Sequence, residues 1–542
     1  MLSRLAGEPF DVIVIGGGAT GLGIALDATT RGYRTLLLEA HDFAKGTSSR
    51  STKLVHGGVR YLEQLDFGLV GEALRERGLL YENAPHLVHN QGFVVPRFRW
   101  WEGPFYGAGL KLYDALAGRQ NLAPSRNLSR EATLEAIPNV EQKDLLGGTL
   151  YHDAQFDDAR MAISLALSAA QHRAVLINRA EVVELLRSET HRGAICGVGV
   201  LDRESGRRHR VLARAVINAT GVFSNAVLRL DRPDAKPLTS PSQGIHLVLD
   251  ASFQPSTHAI MVPHTDDGRL LFVIPWLGRV LVGTTDTPVE DACLEPRALP
   301  EEIDFVLRNA SRYLTRDPGR EDVLSVFAGL RPLVRDDAAE SKSISREHLV
   351  DVSASGLISI VGGKWTTYRK MAEDALDQAV EVAGLPPRRC STATLRLHAW
   401  KARDSLPADE IESSYGSELA GVEALGEEQP EWRQPLHPRL PYRGVHVVWA
   451  LRHEMARDVE DVLARRTRCL LLDAQAAVET APAVAEIAAR ELGRDRLWAA
   501  AQVRDFEALA RGYRLDVDST HVAADDVSAP QTSSRSMSSS TR

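Results

Sequence analysis

Cysteine is scarce in this chain. Its 542 residues include four, Cys196, Cys293, Cys390 and Cys469, far apart and without a C-x-x-C pair. That spacing argues against a disulfide framework and a zinc site, and fits buried thiols in a reducing compartment. No run approaches the ~20 apolar residues that span a bilayer. The opening segment MLSRLAGEPF is too short and too polar to act as a secretory signal, so a cytoplasmic location is expected. No block of Lys or Arg is present and the formal net charge is −8, so the chain offers nucleic acid no electrostatic track. What remains, 44% hydrophobic and 25% charged residues, describes a soluble globular protein. The length suggests two or three domains.

The most informative stretch is DVIVIGGGATGLGIALDATTRGYRTLLLE, residues 11–39. A short apolar strand breaks into Gly16, Gly18 and Gly21 at G-x-G-x-x-G spacing, with Gly17 and Thr20 between them. A helix and a second apolar strand ending on Glu39 follow. Gly16 permits a tight turn, Gly18 lets backbone approach a pyrophosphate, and Gly21 lets helix and strand pack closely. The helix N-terminus directs its N–H groups and positive dipole end at phosphate. Glu39 is placed to accept hydrogen bonds from ribose hydroxyls, and its charge disfavours a 2′-phosphate. A ligand-free αβ turn is the alternative.

Further along, TSSRSTKLVHGGVRYLEQ (47–64) gathers small hydroxyl residues around a glycine pair, Gly57-Gly58. Leu69 to Tyr81 and Asp157 to Ala170 read as helices, and Val175 to Leu186 as strand with turn. RAVINATG returns a strand into Gly221. Short β-runs between about 240 and 325 suggest an antiparallel layer. LISIVGGKWTTYRK brings a last strand to Gly362-Gly363, with a helix starting near Thr366. From 391 to 512 the pattern is helical, and the Ser-rich end reads as disordered. The fold class is therefore α/β: a Rossmann-like nucleotide-binding domain from 9–95, 150–240 and 325–388, an interposed antiparallel β substrate domain from 96–149 and 241–324, a C-terminal helical domain from 391–512, and a tail from 513–542.

Together these segments, with FVIPW, GTTD, GLRPL and LRHEMARDVEDVLARRTRCLLLD, make the chain resemble the aerobic-type FAD-dependent glycerol-3-phosphate dehydrogenases, within the D-amino-acid oxidase-like flavoproteins. The resemblance implies bound FAD and oxidation of sn-glycerol 3-phosphate to dihydroxyacetone phosphate by hydride transfer to flavin, with electrons passed to a quinone. A glycerol-3-phosphate oxidase using oxygen, another flavin amine or hydroxy-acid oxidoreductase, and a non-redox dinucleotide-binding protein remain as alternatives.

On that footing Ser48, Ser49, Thr52 and Lys53 are expected at the FAD pyrophosphate and ribityl chain, or as ordinary helix caps. Gly57, Gly58, Val183, Gly221, Gly363 and Thr366 complete the expected cofactor contacts. A substrate dianion requires fixed cations, for which Arg60 and Arg331 are the candidates, with Lys364 adding charge or steadying the flavin. Each could instead be a surface or capping cation. His246 is favoured as the base that takes the hydroxyl proton, with His56 as the second candidate. The pattern departs from many family members in having Ile245 where a Ser precedes the histidine. Arg97, Arg99, Trp100, Trp101, Phe105 and Tyr106 combine cations with interfacial aromatics, which suggests peripheral contact with the inner face of the cell membrane, or simply a packed loop and helix. A homodimer is left open.

Overall fold

The computed structural model describes residues 8–59, 66–191, 193–335 and 348–515. Eighteen strands among them, numbered along the chain, form two sheets. The first contains β1 (Phe10–Ile15), β2 (Thr35–Leu38), β7 (Val175–Ile177), β8 (Ala180–Arg187), β9 (Ile195–Asp202), β10 (Arg208–Asn218), β17 (His348–Val352) and β18 (Leu357–Gly362). Its parallel core runs β18-β10-β1-β2-β7, with β17 antiparallel at the edge. The first half of β10 pairs instead with β9, and β9 with β8, as an antiparallel layer.

Strand periodicity decides how this sheet is covered. Val12 and Val14 pack toward the helices Ala19–Thr30, Asp158–Gln171 and Tyr368–Val382, whereas Ile13 and Ile15 pack toward Val198 and Val200 of the β-layer. Apolar on both faces, β1 is a buried parallel strand. The helix Asp158–Gln171 starts where Asp157 accepts from Ala159 N and Arg160 N.

The second sheet contains β3 (Leu54–Val55), β4 (Val88–Arg97), β5 (Arg126–Leu128), β6 (Gly147–Phe156), β11 (Thr239–Asp250), β12 (Ala259–Val262), β13 (Leu271–Trp276), β14 (Arg279–Gly283), β15 (Thr287–Pro288) and β16 (Val323–Val334). Its order is β15-β11-β14-β13-β12-β4-β6-β3, with β16 also on β11 and β5 on β6. Only β12 with β4 is parallel. Ile245, Leu247 and Leu249 face the helix Pro300–Ser311, while Val248, Trp276 and Phe327 join the core of the C-terminal helices.

Several expectations shift. The whole of β4 and β6 belong to the second sheet, as does β16, so the expected domain boundaries at 95, 150 and 325 cut through paired strands. His246 lies in the interior of β11. Of the cysteines only Cys469 is buried, and Cys293 is exposed. Tyr513, assigned to the tail, is buried with its hydroxyl on Glu295, whereas 516–542 lies outside the described residues. No helix among the described residues is long and apolar enough to cross a membrane.

Candidate active site

A cavity of about 1250 Å³ opens where the carboxyl ends of β1, β2, β10 and β18 meet the antiparallel sheet. This is the edge at which open α/β sheets bind ligands. Gly16 has φ +107°, and a Cβ there would lie 2.7 Å from the Ala219 carbonyl oxygen. A Cβ on Gly21 would lie 2.0 Å from the Gly16 carbonyl oxygen, so only glycine lets the helix sit this close to the turn. The helix Ala19–Thr30 has no side-chain cap from Gly18 and no acid in its first turn, which leaves its positive end for an anion. Ser48 Oγ accepts from Ala19 N at 2.9 Å.

Glu39 accepts from Gly17 N at 2.6 Å and from His41 N at 2.8 Å, one bond to each carboxylate oxygen. A carboxylate has about four lone-pair sites, so two remain for ribose hydroxyls. Burial pushes this carboxyl up, and the two N–H donors oppose it. Thr20, Val183, Gly221 and Gly363 also line the cavity. The glycine cradle, the helix N-terminus beside Ser48 and the half-buried Glu39 carboxylate fit the ADP half of FAD.

At the opposite end the register of β11 builds the chemistry. His246 is paired with Phe327 of β16 and with Gly283 of β14; two residues back, Gly244 faces Gly329, and Ser242 faces Arg331. Directly paired residues share a sheet face, so histidine and arginine emerge on the same side. The glycines make room: a Cβ on Gly283 would lie 2.3 Å from the His246 ring, and one on Gly244 would lie 2.3 Å from the Arg331 guanidinium.

The Arg331 fork donates to Gln243 O at 3.3 Å, Asp286 Oδ1 at 3.3 Å, Thr284 Oγ1 at 3.2 Å and Thr285 O at 2.9 Å. Burial lowers its proton affinity, and Asp286 partly restores it. The His246 ring stacks on Phe327 at 5.0 Å and 16°, with Nε2 3.0 Å from Thr52 Oγ1. Its Nδ1 is buried and, among the described residues, has no hydrogen-bond partner. Burial first, then Lys53 and Arg331, push its basicity well down.

His56, Thr52, Lys364 and Thr366 also face the cavity. Thr366 Oγ1 clamps the His56 backbone, accepting from its N at 3.2 Å and donating to its O at 3.3 Å. Burial pushes the His56 ring down to about 4; Asp153 opposes this, and Lys364 and Arg77 add to it. Both histidines are therefore neutral at pH 7.

Other expected residues lie behind the wall. Gly17 and Gly21 act through Glu39 and the turn. The Lys53 side chain turns inward instead of toward a pyrophosphate: Nζ donates to Asp158 Oδ2 at 2.7 Å and Ser49 O at 2.8 Å, and its backbone N donates to Ser51 Oγ. Ser49 is buried beside it, with Oγ 3.5 Å from Gly46 O. Gly57 donates to Tyr113 Oη at 2.7 Å and would place a Cβ 2.5 Å from both that hydroxyl and Leu74, so it serves packing. Gly58 is buried next to it. Arg60 lies outside the described residues.

Sequence reading missed three supports. Glu302 accepts from Gln243, Thr285 Oγ1, Thr287 Oγ1 and Leu299 N, and so anchors the turn beneath Arg331. Trp365 donates from Nε1 to Ser48 O at 2.9 Å. Phe327 stacks on the His246 ring, and the alternation Phe327-Gly329-Arg331 in SVFAGLRPL was the available signal.

Comparison with known proteins places these features in context. The profile of the family described as FAD dependent oxidoreductase matches residues 11–369, and that of the C-terminal domain of alpha-glycerophosphate oxidase matches 356–499. A Caenorhabditis elegans protein named probable glycerol-3-phosphate dehydrogenase, mitochondrial, is 40% identical over 528 residues, covering 92% of this chain and 72% of its own. The Homo sapiens glycerol-3-phosphate dehydrogenase, mitochondrial, is 41% identical over 517 residues, covering 90% and 71%. Among solved structures, glycerol-3-phosphate dehydrogenase from Bacillus halodurans complexed with FAD is 29% identical with a TM-score of 0.78, covering 96% of this chain and 98% of that one.

Proposed function

Because the chain belongs to the FAD-dependent oxidoreductases and, within them, to the glycerol-3-phosphate dehydrogenases, we propose that it oxidises sn-glycerol 3-phosphate to dihydroxyacetone phosphate in this cavity. The observation that carries the reading is the emergence of His246 and Arg331 on one face of paired strands, in the same cavity as a nucleotide clamp. When bound, FAD supplies the two-electron hydride acceptor. Gly16, Gly18, Thr20, Glu39 and Ser48 hold its ADP half, and Thr52, Val183, Gly221, Gly363 and Thr366 line the remaining wall.

Arg331 supplies positive charge for the substrate phosphate; its terminal nitrogens already donate to Gln243, Asp286, Thr284 and Thr285, so a dianion meets Nε–H and takes the place of the two 3.3 Å contacts. His246, neutral at pH 7, takes the proton of the secondary hydroxyl. The dianion beside it raises its proton affinity as the reaction proceeds, since a nearby opposite charge favours the charged form. His56 and Lys364 complete the wall on the facing side, and Arg60 remains a proposed second phosphate ligand.

The final acceptor is a quinone, reached from a membrane surface. The helix Glu102–Ala117 buries Leu110, Tyr113 and Ala117 and leaves Phe105 52% exposed, while Trp100, in the turn before it, is 82% exposed beside exposed Arg99. Arg99 attracts anionic headgroups while the rings enter the interface. Replacing Trp100 and Trp101 with Ala should abolish binding to anionic vesicles; undiminished binding rejects the membrane assignment.

Anaerobic bleaching of the bound flavin by glycerol 3-phosphate, but not by lactate, glycine or free glycerol, tests the substrate assignment. Stoichiometric peroxide per turnover in air would replace the quinone with oxygen.

A further inference from the structure

Among the described residues, none beyond Met371 lines the cavity, so the C-terminal helical domain contributes no part of its wall. It nevertheless reaches the underside of the site. Arg468 donates to Asp158 Oδ1 at 3.0 Å and to Ser49 O at 2.8 Å. Lys53 donates to the other Asp158 oxygen at 2.7 Å and to the same Ser49 carbonyl at 2.8 Å. The side chains of Lys53, Asp158 and Arg468 are all fully buried.

This cluster adjoins the candidate base by two routes. Thr52, one residue from Lys53, makes the 3.0 Å contact to His246 Nε2. Lys53 Nζ also lies 5.0 Å from the ring centre of Phe327, on which His246 stacks. Lys53 and Arg468 have φ of +63° and +57°, in the left-handed region that side chains avoid. Two non-glycine residues held there on one shared carboxylate are backbone kept in place by tertiary contacts.

We propose that Lys53, Asp158 and Arg468 form a positioning triad through which the C-terminal domain holds Thr52 and Phe327 against the base His246. The proposal rests on His246 as base. Charged groups facing His246 are Lys53 and Arg331, and those facing Lys53 are Asp158, Asp157 and Arg468.

The test uses the full-length holoenzyme: wild type, Lys53→Met, Arg468→Met, Arg468→Lys and His246→Asn. Stopped-flow flavin reduction by glycerol 3-phosphate is followed against pH and normalised to bound FAD. Lys53→Met removes a cation that repels a proton on His246, so the acid limb of the rate profile should move up by about one pH unit. Arg468→Met should slow reduction per bound flavin about tenfold with the substrate KM little changed, as expected for misplaced catalytic geometry. It should also raise amide exchange at residues 49–55, and Arg468→Lys should restore most of both.

Wild-type exchange, rate per flavin and acid limb in Lys53→Met and Arg468→Met would overturn the proposal, leaving the cluster a structural tie. If Lys53→Met does not fold, the Arg468 pair decides alone. An acid limb abolished by His246→Asn yet unmoved by Lys53→Met sinks the triad only. A limb that survives His246→Asn sinks the base assignment, and the triad's role with it.

Discussion

A single methyl group at position 21 tests the nucleotide clamp. In Gly21→Ala the new Cβ would lie 2.0 Å from the Gly16 carbonyl oxygen, 3.1 Å from its carbon and 3.4 Å from Val14 Cγ1. Close C···O contacts run ~3.3–3.6 Å, so helix and turn must separate by roughly 1.3 Å. Neither neighbour is a flexible side-chain end, and overpacking of this kind costs about 1–3 kcal/mol. Alanine's better helix propensity returns at most about 1 kcal/mol. The same retreat draws the helix N-terminus away from the pyrophosphate. Losing one charge-assisted hydrogen bond, about 1.5–3 kcal/mol, weakens FAD binding about 10- to 100-fold. Reconstitution of the apoprotein, followed by quenching of flavin fluorescence, measures this directly. Gly18→Ala is the control for stability: its Cβ would meet only Ser48 Oγ, at 3.0 Å. The apoprotein of that variant should unfold within about 0.5 kcal/mol of wild type. A Gly21→Ala protein with wild-type FAD affinity and unfolding temperature would refute the close-packing argument.

Other outcomes follow from the same geometry. His246→Asn should lower the rate of flavin reduction about 10²- to 10⁴-fold with little change in substrate affinity, and an unchanged rate would remove it as base. Arg331→Met should raise the KM for glycerol 3-phosphate about 10- to 100-fold, with partial recovery in Arg331→Lys; equal KM values would place the phosphate elsewhere. Burial pushes His86 and His446 down to about 3, with nearby Arg160 contributing to both. Unfolded histidine titrates at about 6.5, so between these values the unfolded chain binds more protons and stability is lost as the pH falls. Each residue contributes a slope of up to about 1.4 kcal/mol per pH unit. Urea unfolding at pH 7.5, 6 and 5 should show declining midpoints, and a flat series would contradict it.

Much of the nucleotide end was legible in the linear chain because its parts are close in sequence. Gly16, Gly18, Gly21 and Glu39 lie within one strand-helix-strand unit, so local propensity and spacing suffice to place them on a common turn. The substrate end was legible only as residue types in motifs. His246 and Arg331 are 85 positions apart, and what puts them on one face is the antiparallel pairing of β11 with β16. That register depends on long-range burial: Ile245 and Leu247 must face the helix Pro300–Ser311, which turns Gly244 and His246 to the cavity.

Lys53 shows where sequence misleads. A lysine in a Ser/Thr-rich loop invites assignment to phosphate, but a left-handed backbone and a buried carboxylate from the helix Asp158–Gln171 draw it inward. The chain alone therefore determined the dinucleotide-binding unit, because glycine spacing and strand periodicity are local properties, while its flavin chemistry was read from the family resemblance of the combined motifs. Tertiary structure alone decided which side chains share the cavity with the nucleotide-binding turn and how Arg468 reaches beneath them, because those contacts exist only once distant segments have been brought together by burial.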